Sequence, residues 1–253
     1  MTETAKSFND RDLRGARFVR SDLSGAVMRG VEVGGLDVDA PWLFQDGSTL
    51  LVNGVDVVAF VDAELDRRFP GRGLRRARTP DGLRRAWQTV EAAWSTAVDR
   101  VAAMPAGTVE VSVDGEWSFA QTVRHLIMAT DTWLGRAVRG EEQPYHPLGV
   151  PHAEYEADGY DTSIFSDVPP TWEEVLEVRA GRVAQVRDLL GGVTADDLED
   201  ERANPWAPEH PTTVGACLRV ILNEEWEHLR YATRDLDVIE ARSSGVPGAV
   251  SAG

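Results

Sequence analysis

The sequence predicts a mainly α-helical fold in which four long amphipathic helices form an up-down bundle. Three observations carry this prediction. Apolar residues recur at three- and four-residue steps through four long segments, which places them on one face of a helix. Ser or Thr precedes three of these segments, where a side-chain oxygen can cap a helix. Two connections, 140–170 and 194–211, are long enough to cross between helices.

The composition is that of a globular protein with an acidic surface. The 253 residues carry a formal net charge of −16, and 42% of them are hydrophobic. A surface that neutralises phosphates must be basic, so the charge argues against a nucleic-acid partner. No apolar run approaches the roughly 20 residues of a membrane span. Cys217 is the single cysteine and no signal peptide is recognisable, so we expect a cytoplasmic protein.

Residues 1–40 carry a repeat of five residues. Apolar side chains recur at this interval: Phe8, Leu13, Phe18, Leu23, Met28, Val33 and Val38. This period fits neither a helix nor a strand, but it fits a solenoid in which each side of a square coil contributes one inward apolar residue. The segment resembles the pentapeptide-repeat family. An irregular, glycine-rich arm is the alternative.

Seven repeat centres make fewer than two coils, so a solenoid segment should pack against other parts of the chain. We therefore expect Leu13, Phe18 and Leu23 to be buried. The basic side chains between them should be exposed: Arg14, Arg17 and Arg20.

The rest of the chain divides into a connector, a bundle and a tail. Residues 41–78 form a connector with the turn dipeptide Asn53-Gly54 and a short helix over 57–68. Residues 79–241 form the bundle. Its helices begin after Thr79, Ser118 and Thr171 and at about residue 213. Residues 242–253 are predicted to be a disordered tail.

The last helix carries Glu224 and His228, four residues apart and therefore on one face. A carboxylate and an imidazole on one face form half of a divalent-metal site. By spacing alone, a solvated acidic face with one exposed His is the favoured explanation of the pair. His125 lies at the inner edge of the second helix. His146 and His152 fall in the 140–170 loop and are predicted to be solvent-exposed rather than ligands.

Trp117-Ser118 followed by His125, with the Glu224/His228 pair on the last helix, resembles the DinB-like four-helix-bundle superfamily over residues 80–240. The resemblance implies a divalent metal held by His125, Glu224 and His228. This His/Glu/His set is similar to the mycothiol-dependent maleylpyruvate isomerase branch. The sequence departs from that isomerase in two ways. A pentapeptide segment precedes the bundle, and we expect no further domain after it. Its particular reaction is therefore not carried over.

Such a site has an open coordination position, and three functions follow as alternatives. Zinc is the expected ion, and Ni²⁺ or Mn²⁺ fits the same ligands. A bound small-molecule thiol would give an S-transferase or isomerase acting on an electrophilic substrate, with mycothiol implied as co-substrate. A bound water would give a hydrolase. A non-catalytic metal-binding or protein-interaction module is the third. A homodimer is allowed by the sequence.

Other residues share the predicted metal faces. Asp235 is a candidate to orient a ligand imidazole, Arg136 to hold an anionic substrate group, and Tyr231 to act in catalysis. Salt bridges at the end of the bundle are the favoured explanation for Asp235 and Arg136. Glu225 is the runner-up ligand, and Glu227 should point away. Cys217 is expected to be a small core residue.

Overall fold

A computed structural model describes residues 7–44 and 47–244. The chain forms two compact units, Met1–Asp39 and Ala40–Gly253. Among the described residues, strands are confined to two short antiparallel pairs and long helices dominate the second unit. The predicted mainly α class is therefore confirmed. A search of the described helices for a membrane span, by length and apolar character, gives none.

The first unit shows its five-residue period in the backbone. A residue with positive φ recurs at every fifth position: Asp10, Gly15, Arg20, Gly25, Gly30 and Gly35. A hydrogen-bonded tight turn occurs at every second repeat. In one of these turns the Ala16 amide donates to the Leu13 carbonyl at 3.0 Å. Three of these corners thus form hydrogen-bonded turns with glycine at the position that requires φ above zero.

The predicted burial in this unit is wrong. Leu13 is 47% exposed, Phe18 59% and Leu23 54%. So short a segment has too few turns to stack on one another, so the apolar side chains find little to pack against. The three arginines between them are exposed, as expected.

The second unit opens with a small hairpin and a short helix. Strands β1 (Leu51–Val52) and β2 (Val55–Asp56) pair around Asn53-Gly54, where both turn residues have positive φ. Helix α1 (Val58–Arg68) follows as predicted. The Arg72 guanidinium is fully buried and lies 2.7 Å from both Asp62 and Asp66 of α1. This ionic cluster ties α1 to the segment of the connector that follows it.

Four long helices follow, and their predicted starts are confirmed. Helix α2 (Pro80–Ala102) begins after Thr79, α3 (Phe119–Thr130) after Ser118, α4 (Trp172–Gly192) after Thr171, and α5 (Val214–Ser243) after Thr213. Ser118 and Thr171 form reciprocal capping boxes with Gln121 and Glu174. Helix α5 takes in the first residues of the predicted tail, and residues 245–253 lie outside the described ranges.

The four long helices contribute to one apolar core. Its largest fully buried side chains include Trp87 of α2, Leu126 and Ile127 of α3, and Trp226 of α5. Val175, Val186 and Leu190 are the buried contribution of α4. The β3–β4 pair (Glu201–Arg202 with Thr212–Thr213) lies in the connection that leads into α5.

Helix α3 continues into a π-helical segment, Asp131–Val138, which the sequence did not predict. The Arg139 amide donates to the Leu134 carbonyl, five residues back, at 3.0 Å. Because a π-helix has more residues per turn than an α-helix, side chains after residue 130 change direction relative to His125.

Candidate metal centre

Three side chains from two helices meet at one point: His125 of α3, and Glu224 and His228 of α5. One ligand atom from each lies within 4.8 Å of the others. The i, i+4 spacing places Glu224 and His228 one turn apart on α5, and the packing of α3 on α5 brings His125 to them. A cluster of two imidazoles and one carboxylate could hold a divalent metal.

Hydrogen bonds orient both imidazoles. His125 Nδ1 lies 2.9 Å from the Val150 carbonyl oxygen, and His228 Nδ1 lies 2.9 Å from the Glu224 carbonyl oxygen. A carbonyl only accepts, so each Nδ1 carries a proton, and in a neutral imidazole Nε2 then keeps its lone pair. This is the tautomer in which Nε2 is a metal ligand, with Nδ1–H held by a second group.

The charge states also suit a cation. His125 Nε2 and His228 Nδ1 lie 3.6 and 3.5 Å from a Glu224 carboxylate oxygen. Burial would raise the pKa of Glu224, but the neighbouring His125 and His228 imidazoles outweigh it and hold that pKa below its usual range. Burial, reinforced by His125, lowers the pKa of His228 to about 4. At neutral pH the cluster therefore offers an ionised carboxylate and an unprotonated His228.

Aromatic rings surround the imidazoles. The His125 and His228 rings stack with centroids 4.7 Å apart. Trp117 lies 4.7 Å from the His125 ring and 6.1 Å from the His228 ring. Tyr231 contacts His228 edge-on at 5.9 Å. These rings limit the movement of the imidazoles and exclude water from one side of the cluster.

The long loop between α3 and α4 lies against the same cluster. Its Val150 supplies the carbonyl that holds His125, and the Val150 amide donates to the Arg124 carbonyl at 3.3 Å. An aromatic cluster packs onto Met128 of α3; this loop contributes Tyr145, Tyr155, Tyr160 and Phe165, and the connection between α4 and α5 contributes Trp206. The loop thus links the His125 imidazole to an aromatic cluster.

The loop histidines stay outside the three-residue cluster. Leu148 donates its amide to His146 Nδ1 at 3.2 Å, so this side chain serves the loop's own structure. His152 is half-buried against Tyr155 and Trp206 and is close enough to help lower the pKa of Glu224. Both loop histidines are partly buried, so the predicted solvent exposure of His146 and His152 is only partly met.

Asp235 does not accept a hydrogen bond from Nδ1 of either imidazole. Backbone carbonyl oxygens already accept from both Nδ1 atoms. It accepts instead from Arg234 Nε at 2.8 Å, which is the salt bridge that the sequence favoured. Arg136 lies on the π-helical segment and is exposed, so its direction is not the one that an α-helix predicts. The Tyr231 ring lies under the Arg230 guanidinium and contacts the His228 ring edge-on.

The remaining acidic residues and the cysteine have other partners. Glu225 is fully buried and pairs with Arg179, whose Nη2 lies 2.5 Å from Oε2, so the runner-up ligand lies on another face of α5. Glu227 points away, as predicted, to Arg72 and Arg230. Cys217 is fully buried and burial raises its pKa, which confirms it as a core residue.

Sequence reasoning missed two contributors to the centre. The Val150 carbonyl carries no side-chain signal, because any residue supplies a backbone oxygen. Trp117 stood in the motif that suggested the family, and only the structure brings its ring onto both histidines. An aromatic residue just before a capped helix that carries a ligand is the signal that was available.

Comparison with known proteins agrees with this geometry. The family model described as the DinB superfamily matches residues 61–232, beginning within α1 and before the predicted bundle boundary at residue 79. No curated protein and no solved structure matches the chain. The match spans well over half of the sequence and includes the helical segments that carry all three clustered residues, and so the chain belongs to the DinB superfamily.

Proposed function

We propose that the chain binds one divalent metal ion through His125, Glu224 and His228 and acts as a thiol-dependent S-transferase or isomerase. The proposal takes the four long helices as an up-down bundle, zinc as the native ion and mycothiol as the thiol. The observation that carries it is the pair of imidazoles with Nδ1 held by carbonyl oxygens and Nε2 free, beside one carboxylate.

The residues fit a divalent cation by chemistry as well as by distance. Three protein ligands leave an open coordination position, as in catalytic rather than structural zinc sites. Glu224 supplies the negative charge that partly balances the ion, and its lowered pKa keeps it ionised. A bound metal would lower the pKa of a coordinated thiol so that it is a thiolate at neutral pH.

The chain's own groups set the surroundings of the reaction. Trp117 and Tyr231 shield the imidazoles, and the aromatic cluster of the loop offers an apolar surface for an electrophilic substrate. Arg136 is exposed and remains the candidate for an anionic group of that substrate. Asp235 and Tyr231 remain candidates for positioning.

The thiol must come from solution. Cys217 is the chain's single cysteine, it is fully buried, and burial raises its pKa. It also lies seven residues before Glu224, about 10 Å along the helix axis. A small-molecule thiol is therefore the only sulfur nucleophile that fits the proposal.

Cobalt substitution tests it. Addition of mycothiol to the Co²⁺ protein should produce an intense near-ultraviolet charge-transfer band from sulfur ligation, and Cys217→Ala should leave that band intact. Turnover should require the added thiol. If mycothiol and other small thiols give no spectral change at millimolar concentration, thiol transfer is refuted, and the hydrolase or the non-catalytic module takes its place.

A further inference from the structure

A cavity lies among helices α2, α3, α4 and α5, apart from the His125, Glu224 and His228 cluster. It has a volume of about 190 Å³ and its wall includes Trp87 and Trp94 of α2, Val123 of α3, Arg179 and Val183 of α4, and Glu225 of α5. None of the three clustered residues lines it. Exposed Ser95 and half-buried Val98 also line it, so the cavity opens to solvent beside α2.

The polar groups on this wall are incompletely paired. Arg179 is nine-tenths buried and uses Nη2 for Glu225, while its Nη1 is buried with no hydrogen-bond partner among the described residues. The Trp87 indole N–H is also buried and has no hydrogen-bond partner among the described residues. On the rim, Glu91 Oε2 accepts a hydrogen bond from Arg187 at 2.7 Å. The other carboxylate oxygen, Glu91 Oε1, is buried and has no partner among the described residues.

A buried donor without an acceptor destabilises the folded protein, because it has lost its hydrogen bonds to water and gained none. The described wall has three such donors, from Arg179, Trp87 and Trp94, and one such acceptor, from Glu91. A molecule that supplied a carbonyl oxygen to the Arg179 and Trp87 donors and an N–H to the acceptor would satisfy three of these four groups. The apolar part of the wall would meanwhile bury its hydrocarbon body.

Charge narrows the class of molecule further. Glu225 and Glu91 would repel an anion, and Arg179 would repel a cation. Because each of these charges already has an opposite partner in the protein, an uncharged ligand disturbs neither pair. The two indole rings favour a flat aromatic body.

We propose that this cavity is a binding site for a small, uncharged aromatic amide or a molecule of equivalent shape and hydrogen bonding. The volume suits it, since a cavity of about 150 Å³ holds one benzene molecule. The carbonyl oxygen accepts from Arg179 Nη1 and the Trp87 N–H, and the amide N–H donates to Glu91 Oε1. The site does not depend on the metal or on the thiol chemistry.

Benzamide is the probe, with benzoate and benzamidine as anionic and cationic molecules of the same shape. Titration of the full-length protein is followed through the indole N–H signals of its eight tryptophans in ¹H–¹⁵N spectra. Benzamide should shift the Trp87 signal saturably, and that signal is assigned by its loss in Trp87→Phe. Both charged molecules should bind at least roughly ten-fold more weakly. Trp87→Phe should weaken benzamide binding roughly five-fold.

Two exposed neighbours on α2 provide matched variants. Ser95→Phe places a ring at the mouth and should weaken benzamide binding at least roughly ten-fold. Thr96→Phe makes a similar change on a residue that does not line the cavity and should bind benzamide like the unmodified protein. The proposal is overturned by equal affinity in the two variants, by tighter binding of either charged molecule, or by shifts that do not saturate, which would indicate a cavity filled by water alone.

Discussion

Removal of Arg179 should destabilise the protein far more than removal of an exposed arginine from the same helix. Arg179 Nη2 lies 2.6 and 2.5 Å from the two oxygens of Glu225, and only 1% of the Glu225 side chain is exposed. Arg179→Met therefore leaves a dry carboxylate without its cation. Breaking a buried pair on one side costs about 3–5 kcal/mol in the free energy of unfolding.

A double variant separates the lost attraction from the stranded charge. Arg179→Met combined with Glu225→Leu removes both ions and replaces them with apolar groups. Such replacements are often neutral or stabilising. We expect the double variant to recover most of the stability that Arg179→Met loses. The matched control is Arg187→Met, whose pair with Glu91 is 58% exposed on the arginine side and should cost less than about 1 kcal/mol.

The loss should also depend on pH. Burial raises the pKa of Glu225 even with Arg179 present, and Glu224 on the same helix adds to the rise. Without Arg179 the folded-state pKa rises further, so the folded state holds a proton that the unfolded state has released. Stability then falls as pH rises above the unfolded pKa, by up to about 1.4 kcal/mol per pH unit until the folded pKa is passed. Arg179→Met should therefore be more destabilising at pH 8 than at pH 5.

Urea denaturation of the metal-free proteins at both pH values measures these effects. The reasoning fails if Arg179→Met costs no more than Arg187→Met. It also fails if the double variant is no more stable than Arg179→Met, because the stranded Glu225 charge would then not be the cause.

Three further predictions concern the metal, acid stability and the first unit. Protein purified without a chelator or affinity tag should carry about one divalent ion per chain by elemental analysis. Ala substitution should abolish binding at His125, Glu224 or His228 and preserve it at His146 or His152; full occupancy in His228→Ala would refute the assignment. His228 has a folded pKa of about 4, below its usual 6.5, so the metal-free protein should lose up to about 3 kcal/mol as pH falls from 6.5 to 4. His228→Gln should flatten that dependence, and an unchanged profile would contradict it. Leu13→Ser, at a side chain that is 47% exposed, should shift the melting temperature by less than roughly 2 °C, and a larger fall would contradict that exposure.

Much of the helical framework was predictable because it follows from local signals. Thr79, Ser118 and Thr171 begin helices through contacts with residues three positions on, within any sequence window. The Glu224/His228 pair follows from the helical repeat in the same way. Local rules also place Cys217 in the apolar stripe of α5.

The features that sequence reasoning missed depend on long-range packing. Glu225 looked like a possible ligand because its partner, Arg179, lies 46 residues away on another helix. The π-helical segment, which redirects Arg136, has no recognisable spacing signal. The five-residue period recurs in the backbone φ angles of the first unit, but it could not predict whether Leu13 is buried, because burial depends on what packs against that side chain.

The hydrogen bond between His125 and the Val150 carbonyl has a consequence for the loop itself. If His125 is a ligand, the loop and the ion each favour the same orientation of one imidazole, so their binding equilibria are linked. Any molecule that draws the loop away lowers the affinity for the ion. By reciprocity, removal of the ion lowers the equilibrium constant for docking of the loop by the same factor. The residence time of the metal would then be governed by motions of a segment that contributes no ligand to it.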